Sequence, residues 1–543
     1  MTPLPRDIAD LPNLATTTGR AGPVRSKRPV YVDFLPPCND ACPAGENCQE
    51  WLRLAKTGDP HAAWRQIVRD NPMPAIHGRV CYHPCETACN RGDLDAPISI
   101  HAVERYLGDL AIKEGWKFDK PRYNTGYKVL VVGAGPAGLS CAYHLARLGH
   151  EVTIRDAGQK PGGMMRYGIP EYRLPRDVVD AEIARIEEMG VRIETSSRID
   201  DLLAAQRAGG FDAVFIAVGA GRSRHIDIPS IDAGRMIDAV DFLRDATSGG
   251  PAPVVGRRVA IYGAGNTAMD AARTARRLGA EEAVIVYRRT QEQMPAHEEE
   301  LDEAVAEGVK TNWLRTITAG EGEDFQVEIM ELDENGRAVG TGKFEKLQAD
   351  SLILAVGQDA ETDFLRKIPG LRFEHDVVDV DPTTMMTDVP GIFAGGDAAP
   401  SARTVTISVG HGKRAARQID LWLNRQREDQ PERHPIVHFD DLNLWYFGNN
   451  PRRQQSELDV EQRFEGFEEV VRGLEPEQAV YEACRCLSCG NCIECDGCLG
   501  SCPEDAVIKL GPGKRYRYDY DKCTGCQTCA DQCPVHAIVM VAE

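Results

Sequence analysis

Two stretches near the end of the sequence repeat one spacing, C-x2-C-x2-C-x3-C-P. The first is Cys492, Cys495, Cys498 and Cys502-Pro503; the second is Cys523, Cys526, Cys529 and Cys533-Pro534. Thiolates are soft ligands that suit iron–sulfur cubanes, and in this spacing the fourth Cys of each run crosses to the other cluster. The pattern therefore assigns Cys492, Cys495, Cys498 and Cys533 to one [4Fe–4S] cluster. Cys523, Cys526, Cys529 and Cys502 go to a second. A tripled CxxC with a trailing proline argues against a zinc ribbon. Just upstream, "EACRCLSC" adds Cys484, Cys486 and Cys489, which this pattern does not use.

The chain has 18 cysteines, and they are clustered rather than scattered. Six lie at 38–89, eleven at 484–533, and Cys141 stands alone. A disulfide framework belongs to small exported chains, and 543 residues is more than one core can use, so metal ligation fits better. The N-terminus has no charged start followed by an apolar run, so no secretory signal is read there, and the expected location is the cytoplasm. No apolar run reaches bilayer length. A net charge of −20 argues against a nucleic-acid partner, which needs clustered Lys and Arg.

Two strand–glycine-turn–helix units occupy the middle of the chain. In "YKVLVVGAGPAGLSCAYHLARLGHEVTIRDAG", Gly133 allows the tight turn and Gly135 the approach of a pyrophosphate, while Gly138 lets helix pack on strand. Ala134, Pro136 and Ala137 complete the turn, and Asp156 stands where a carboxylate meets ribose hydroxyls. The second unit, "RRVAIYGAGNTAMDAARTARRLGA", places Gly263, Gly265 and Ala268 at the glycine positions, with Asn266 and Thr267 opening the helix. Its second strand ends in Arg288 and Arg289 instead of an acid. A guanidinium pair there favours a 2′-phosphate, so NADP(H) is expected, with NAD(H) the alternative.

A third stretch, "TDVPGIFAGGDAA", carries Gly396 and Asp397. It resembles the ribityl-binding motif of flavoprotein reductases with two dinucleotide-binding domains, in which the first unit holds FAD and the inserted second unit holds NAD(P)H. "FIAVGA", with Gly219, and "LILAVGQD", with Gly357, resemble the turns that pass the chain between those domains. "PGGMMRYGIPEYRLP", with Gly162, Gly163 and Met164, is similar to the glutamate synthase small-subunit family, whose electron-input module also occurs in dihydropyrimidine dehydrogenase. The resemblance covers roughly 35–420 and implies FAD, a nicotinamide cofactor and two [4Fe–4S] clusters in an N-terminal helical domain. Thr406 is included among the expected flavin contacts. No redox CxxC lies between 128 and 425, which excludes a disulfide reductase.

The N-terminal domain offers six thiols where two cubanes need eight ligands: Cys38, Cys42 and Cys48, then Cys81, Cys85 and Cys89. In the related pyrimidine enzyme an upstream R-C-x-x-C segment supplies two more, and an amide side chain completes the other cluster. Here the upstream pair is missing, and Arg485-Cys486-x-x-Cys489 repeats its pattern at the other end of the chain. The resemblance thus implies a tail that folds back, so that Cys486 and Cys489 join Cys38 and Cys89. Cys42, Cys81 and Cys85 then take a carboxylate from Glu104, which replaces the amide. A competing assignment uses Cys48, and with it Cys484, leaving Glu104 on a solvated helix face. Cys141 is expected in the core.

The expected fold is multidomain α/β. It comprises an arm (1–30), a helical [4Fe–4S] domain (31–125), an FAD-binding Rossmann-like domain in two parts (126–250 and 351–425) around an inserted NAD(P)H domain (251–350), a connector (426–483) and a small α+β ferredoxin-like domain (484–543). The expected function is electron transfer between NADP(H), FAD, four [4Fe–4S] clusters and a partner, with no side-chain acid, base or nucleophile required. The partner is a catalytic oxidoreductase subunit within a hetero-oligomer, or a soluble ferredoxin. Two alternatives are a self-contained substrate-reducing enzyme of the glutamate synthase or dihydropyrimidine dehydrogenase type, disfavoured because their substrate domains are not seen here, and a flavin-bifurcating subunit.

Overall fold

A computed structural model of the chain describes residues 25–224, 226–231, 235–247, 250–426 and 434–543. Two parallel five-stranded sheets form its centre. The first runs in the order Ile392–Ala394, Ala213–Ile216, Lys128–Val132, Glu151–Arg155 and Arg192–Glu194. Its central strand, KVLVV, buries every residue but the first, as a strand covered on both faces must. Helix Val405–Leu423 crosses helix Pro136–Arg147 closely because Gly412 has no Cβ; one there would lie 2.3 Å from Ala137 O. Cys141 is fully buried in this core.

The second sheet runs Lys310–Trp313, Glu282–Tyr287, Arg258–Tyr262, Ser351–Leu354 and Arg235–Asp238. It is wider than the 251–350 expected from sequence. Both Arg235–Asp238 and Ser351–Leu354 pair within it, and the second of these is buried throughout. A four-stranded, largely antiparallel sheet flanks it.

The N-terminal helices Cys48–Lys56, Pro60–Ile67, Pro74–Val80 and Ile100–Lys113 close around Trp51, Trp64, Ile67 and Leu107, all fully buried. Two of them meet backbone to backbone: a Cβ on Gly78 would lie 2.4 Å from Arg105 N, and one on Gly108 would lie 2.3 Å from Ala75 N. That close approach fixes the loop Cys81–Cys89 against the helix carrying Glu104.

Residues 1–24 lie outside the described residues, but the rest of the expected arm is not loose. Lys27–Tyr31 is a strand paired antiparallel with the last strand of the chain, Ile538–Ala542. The connector likewise has fixed partners. Glu469 receives Arg79 (2.7 Å) and Arg105 (3.0 Å), and Ser99 Oγ donates to Arg453 O at 2.7 Å. The chain then enters helix Pro476–Cys484 and turns at Arg485. The Arg485 guanidinium, almost wholly buried, donates to Ala96 O (2.7 Å) and Pro97 O (3.2 Å) and pairs with Asp95 and Glu482. This one side chain ties the tail to the N-terminal domain. Among the described residues no helix is long and apolar enough to cross a membrane.

Replacing Arg485 by Ala leaves Glu482 buried without its main cation and the carbonyls of Ala96, Pro97 and Asn450 without this donor. The expected cost is about 3–5 kcal/mol at this junction, read as a lower melting temperature and as faster proteolysis between the connector and the tail. An Arg485→Ala protein that melts and resists protease like the wild type contradicts this account.

Candidate functional site

Strand Lys128–Val132 delivers Gly133 to a turn at φ +107°, where a Cβ would lie 2.3 Å from Ala217 O. Helix Pro136–Arg147 starts at once, with proline in its first turn. Gly138 is needed for packing, since a Cβ would come within 2.0 Å of Gly133 O. Gly135 is different. Its φ of −77° suits any residue, and a Cβ there would meet nothing within 4 Å. The space kept over Gly135 therefore serves no packing need of the protein; it fits a diphosphate laid against the helix N-terminus.

This turn opens on a cleft of about 1350 Å³. Gly133, Gly135, Pro136, Ala137, Asp156, Gly163, Met164, Gly219, Gly396 and Asp397 all line it, and Asn266 and Thr267 reach it from the second unit. Ala134, Gly162, Gly138, Gly357 and Thr406 stand outside its wall. Asp156 holds the turn together as well as facing the cleft: its carboxylate accepts from Ala134 N and Gly158 N, each at 2.6 Å. Asp397 is shielded, and burial pushes its carboxyl above the ordinary range, with Arg403 opposing.

The second turn repeats the logic. Gly263 has φ +132° and a Cβ would lie 2.2 Å from Ala355 O, whereas one on Gly265 would meet only Pro295 Cγ at 3.9 Å. Ala268 is fully buried where the third glycine stands in the first unit. Arg288 and Arg289 follow strand Glu282–Tyr287, and neither guanidinium has a carboxylate partner among the described residues. Two residues missed from sequence reach this region from its neighbours, Tyr82 from the iron–sulfur domain and Arg173 from the first dinucleotide-binding unit. Tyr82 OH accepts from Asn266 Nδ2 at 2.6 Å and donates to Glu300 at 2.8 Å, and its ring stacks on His297 at 3.5 Å. Arg173 pairs with both Asp270 and Glu300. Tyr82 lies between two cysteines of "CYHPC", and that placement was the available signal.

The cysteines gather into four groups. Cys38, Cys89, Cys486 and Cys489 line one small cavity, although the sequence separates them by more than 390 residues. Burial raises the Cys38 thiol well above its usual pKa, with Cys89, Cys486 and Cys489 adding to the rise; Cys489 is pushed up to about 12 by burial and by Cys486. Thiolates so crowded and dry need positive charge among them, which is what an iron–sulfur core supplies. Backbone N–H groups already point at the sulfurs, from Ser488 to Cys486 (3.4 Å) and from His83 to Cys81 (3.3 Å).

Beside it lie Cys42, Cys81 and Cys85. Glu104 is buried, not on a solvated helix face, and accepts from Asn71 Nδ2 at 2.8 Å. Burial, then Glu46 and the thiols of Cys42 and Cys85, push its carboxyl well up. Cys48 is also buried, within hydrogen-bonding reach of Cys42 and Cys85. That bond, against the opposing effect of burial, brings Cys42 down to about 7. Both residues weighed for the fourth position thus adjoin this group. Val80 and Tyr82 line the large cleft, so the group carrying Cys81 is next to it. Cys484 is exposed and belongs to no group.

In the tail, Cys502, Cys523, Cys526 and Cys529 line one cavity, the crossed set read from the spacing. Cys492, Cys495, Cys498 and Cys533 form the other: burial raises Cys492, with Cys533 adding to the rise, and raises Cys533, with Cys495 adding. Cys498 is raised to about 11 by burial, with Cys492, Cys533 and Cys495 contributing.

These sheets, turns and thiol groups define a dinucleotide-dependent iron–sulfur flavoprotein. Residues 127–420 match the pyridine nucleotide-disulphide oxidoreductase family, to which the chain belongs. Residues 26–116 match the dihydropyrimidine dehydrogenase domain II 4Fe–4S model, and 516–539 a 4Fe–4S binding domain. The chain is 36% identical over 515 residues to the NADP(+)-dependent formate dehydrogenase subunit beta of Moorella thermoacetica, covering 85% of this chain and 71% of that one. It is 34% identical over 534 residues to the NADPH-Fe(3+) oxidoreductase subunit beta of Geobacter sulfurreducens, covering 88% and 78%. To the NAD-dependent dihydropyrimidine dehydrogenase subunit PreT of Escherichia coli it is 33% identical over 390 residues, covering 71% and 91%. The chain is an NAD(P)H-dependent oxidoreductase that binds FAD, NADP and 4Fe–4S clusters and transfers electrons among them.

The two kinds of glycine separate experimentally. Gly135→Val should fold and melt near the wild-type temperature yet lose its flavin absorbance, whereas Gly138→Val should destabilise the whole domain through the clash with Gly133 O. Full flavin content in Gly135→Val counts against this placement of the diphosphate.

Proposed function

We propose that this chain passes electrons between NADP(H) and a separate redox protein through one flavin and four [4Fe–4S] sites arranged in sequence. The observation that carries the reading is the meeting of Cys38 and Cys89 with Cys486 and Cys489 around one cavity. It supplies the two ligands that the N-terminal domain lacks and makes the tail continuous with the head. When bound, FAD supplies the exchange between a hydride and single electrons, and the clusters carry electrons one at a time.

The work of the side chains is positional. Gly135 and Asp156 seat the flavin, and Arg288 and Arg289 select the 2′-phosphate. Cys42, Cys81, Cys85 and Glu104 form the site beside the flavin, and Cys48 stands next to Cys42 and Cys85 as a neighbour outside it. Cys38 lies on the short helix Pro37–Ala41 and Cys42 caps its end, and Cys489 precedes Cys492 by three residues, so each site abuts the next. At the far end Cys526 is exposed, which supports electron exit there. Relatives named as beta subunits support a hetero-oligomer, with a catalytic oxidoreductase subunit as partner, or a soluble ferredoxin in its place.

Purified protein should contain about sixteen irons and as much acid-labile sulfide per chain, and NADPH alone should drive reduction of a viologen dye. About eight irons breaks the four-site reading. Glu104→Ala should lose about four irons and Cys48→Ser none; the reverse outcome assigns the fourth position to Cys48. Arg288→Ala combined with Arg289→Ala should raise the KM for NADPH about tenfold or more and leave that for NADH unchanged. An equal rise for both cofactors removes the selectivity role.

A further inference from the structure

The head strand Lys27–Tyr31 has no place in flavin or nucleotide binding, yet it is built into the tail. It pairs residue for residue with the last strand, from Lys27 opposite Ala542 to Tyr31 opposite Ile538. Without it that strand would be an unpaired edge, since the hairpin Val507–Lys509 with Tyr516–Tyr518 is a separate two-stranded sheet. The fit is close: a Cβ on Gly525 would lie 2.3 Å from Lys27 O. Pro29 lines the cavity of Cys502, Cys523, Cys526 and Cys529, and Arg25 donates to Cys523 O at 3.1 Å. The ferredoxin-like unit is therefore completed by a segment at the opposite end of the sequence.

The strand also reaches the other tail site. Tyr31 OH lies 3.2 Å from Cys498 Sγ, and its ring stacks on Tyr518 with centroids 5.2 Å apart and planes at 24°. A metal-bound cysteine sulfur carries no proton, so in the loaded protein the phenol donates and the sulfur accepts. A hydrogen bond to a ligand sulfur favours the more negatively charged, reduced form of a cluster. We propose that Tyr31, brought in by the head strand, is a positioning residue that raises the reduction potential of the site formed by Cys492, Cys495, Cys498 and Cys533. The only change at that site on reduction is one electron, gained from the joint site of Cys38, Cys89, Cys486 and Cys489; Tyr31 keeps its proton. A raised potential here draws electrons across the junction from head to tail. This inference rests on the four-site reading above.

The test is an EPR-monitored redox titration of the holoprotein. Tyr31→Phe retains the ring stack and removes the hydroxyl. It should keep full iron, full flavin and NADPH-driven viologen reduction, while one cluster shifts to a more negative midpoint and the others stay in place. Site-specific replacement of Tyr31 by 3-fluorotyrosine, a stronger donor of the same shape, should move the same cluster the opposite way. Should Tyr31→Phe lose iron, the fluorotyrosine protein alone decides. Unchanged midpoints in iron-replete protein overturn the proposal. An iron content of about half the expected sixteen in the wild type would instead strike the four-site reading and leave the hydroxyl-to-sulfur bond to be judged by the titration.

Discussion

The joint thiol cavity, with Arg485 beside it, is the constraint on which the arrangement depends. Buried sulfurs contributed by Cys38, Cys89, Cys486 and Cys489 come from both ends of the chain, and no local segment could bring them together. Arg485 does so by spending its donors on the carbonyls of Ala96 and Pro97 and on Asp95, in the loop that follows Cys89. A planar guanidinium with five fixed donors suits that task better than an ammonium. Asn90 adds a link, donating from one amide to Val437 O at 3.0 Å and to Cys489 Sγ at 3.5 Å. The connector then follows as a strap whose charges are matched by buried arginines of the N-terminal helices.

From that junction the order of sites is dictated by chain geometry. Cysteine pairs four residues apart, such as Cys38 with Cys42 and Cys85 with Cys89, belong to different thiol groups, so the groups must touch. The same holds for Cys489 and Cys492. Short loops thus do what a long electron wire would otherwise need. At the flavin end, Tyr82 couples the loop bearing Cys81 to Asn266 and His297 at the mouth of the nucleotide unit.

Two features could be derived only in part from residue patterns. The inserted nucleotide domain was legible from its glycine turn and its Arg pair, but its sheet takes Arg235–Asp238 and Ser351–Leu354 as further strands. Short β-branched runs carry no mark of which sheet they will join. Lys27–Tyr31 looked like a polar arm because its pattern has no apolar alternation long enough to announce a strand. Its stability comes from pairing with Ile538–Ala542, a non-local interaction that local propensity does not encode.

The sequence by itself determined the chemistry: which residues are thiols, how the two tail motifs cross, where a diphosphate can approach, and that no redox CxxC adjoins the flavin. These follow from spacing within a single turn or loop, where covalent geometry leaves few options. Only the tertiary structure decided what meets across hundreds of residues: Cys486 and Cys489 at Cys38 and Cys89, Glu104 and Cys48 beside the same thiols, and Tyr31 at Cys498. Such meetings depend on burial and on matched donors and acceptors between elements remote in sequence. A one-dimensional pattern names the groups that can pair, and packing selects the ones that do.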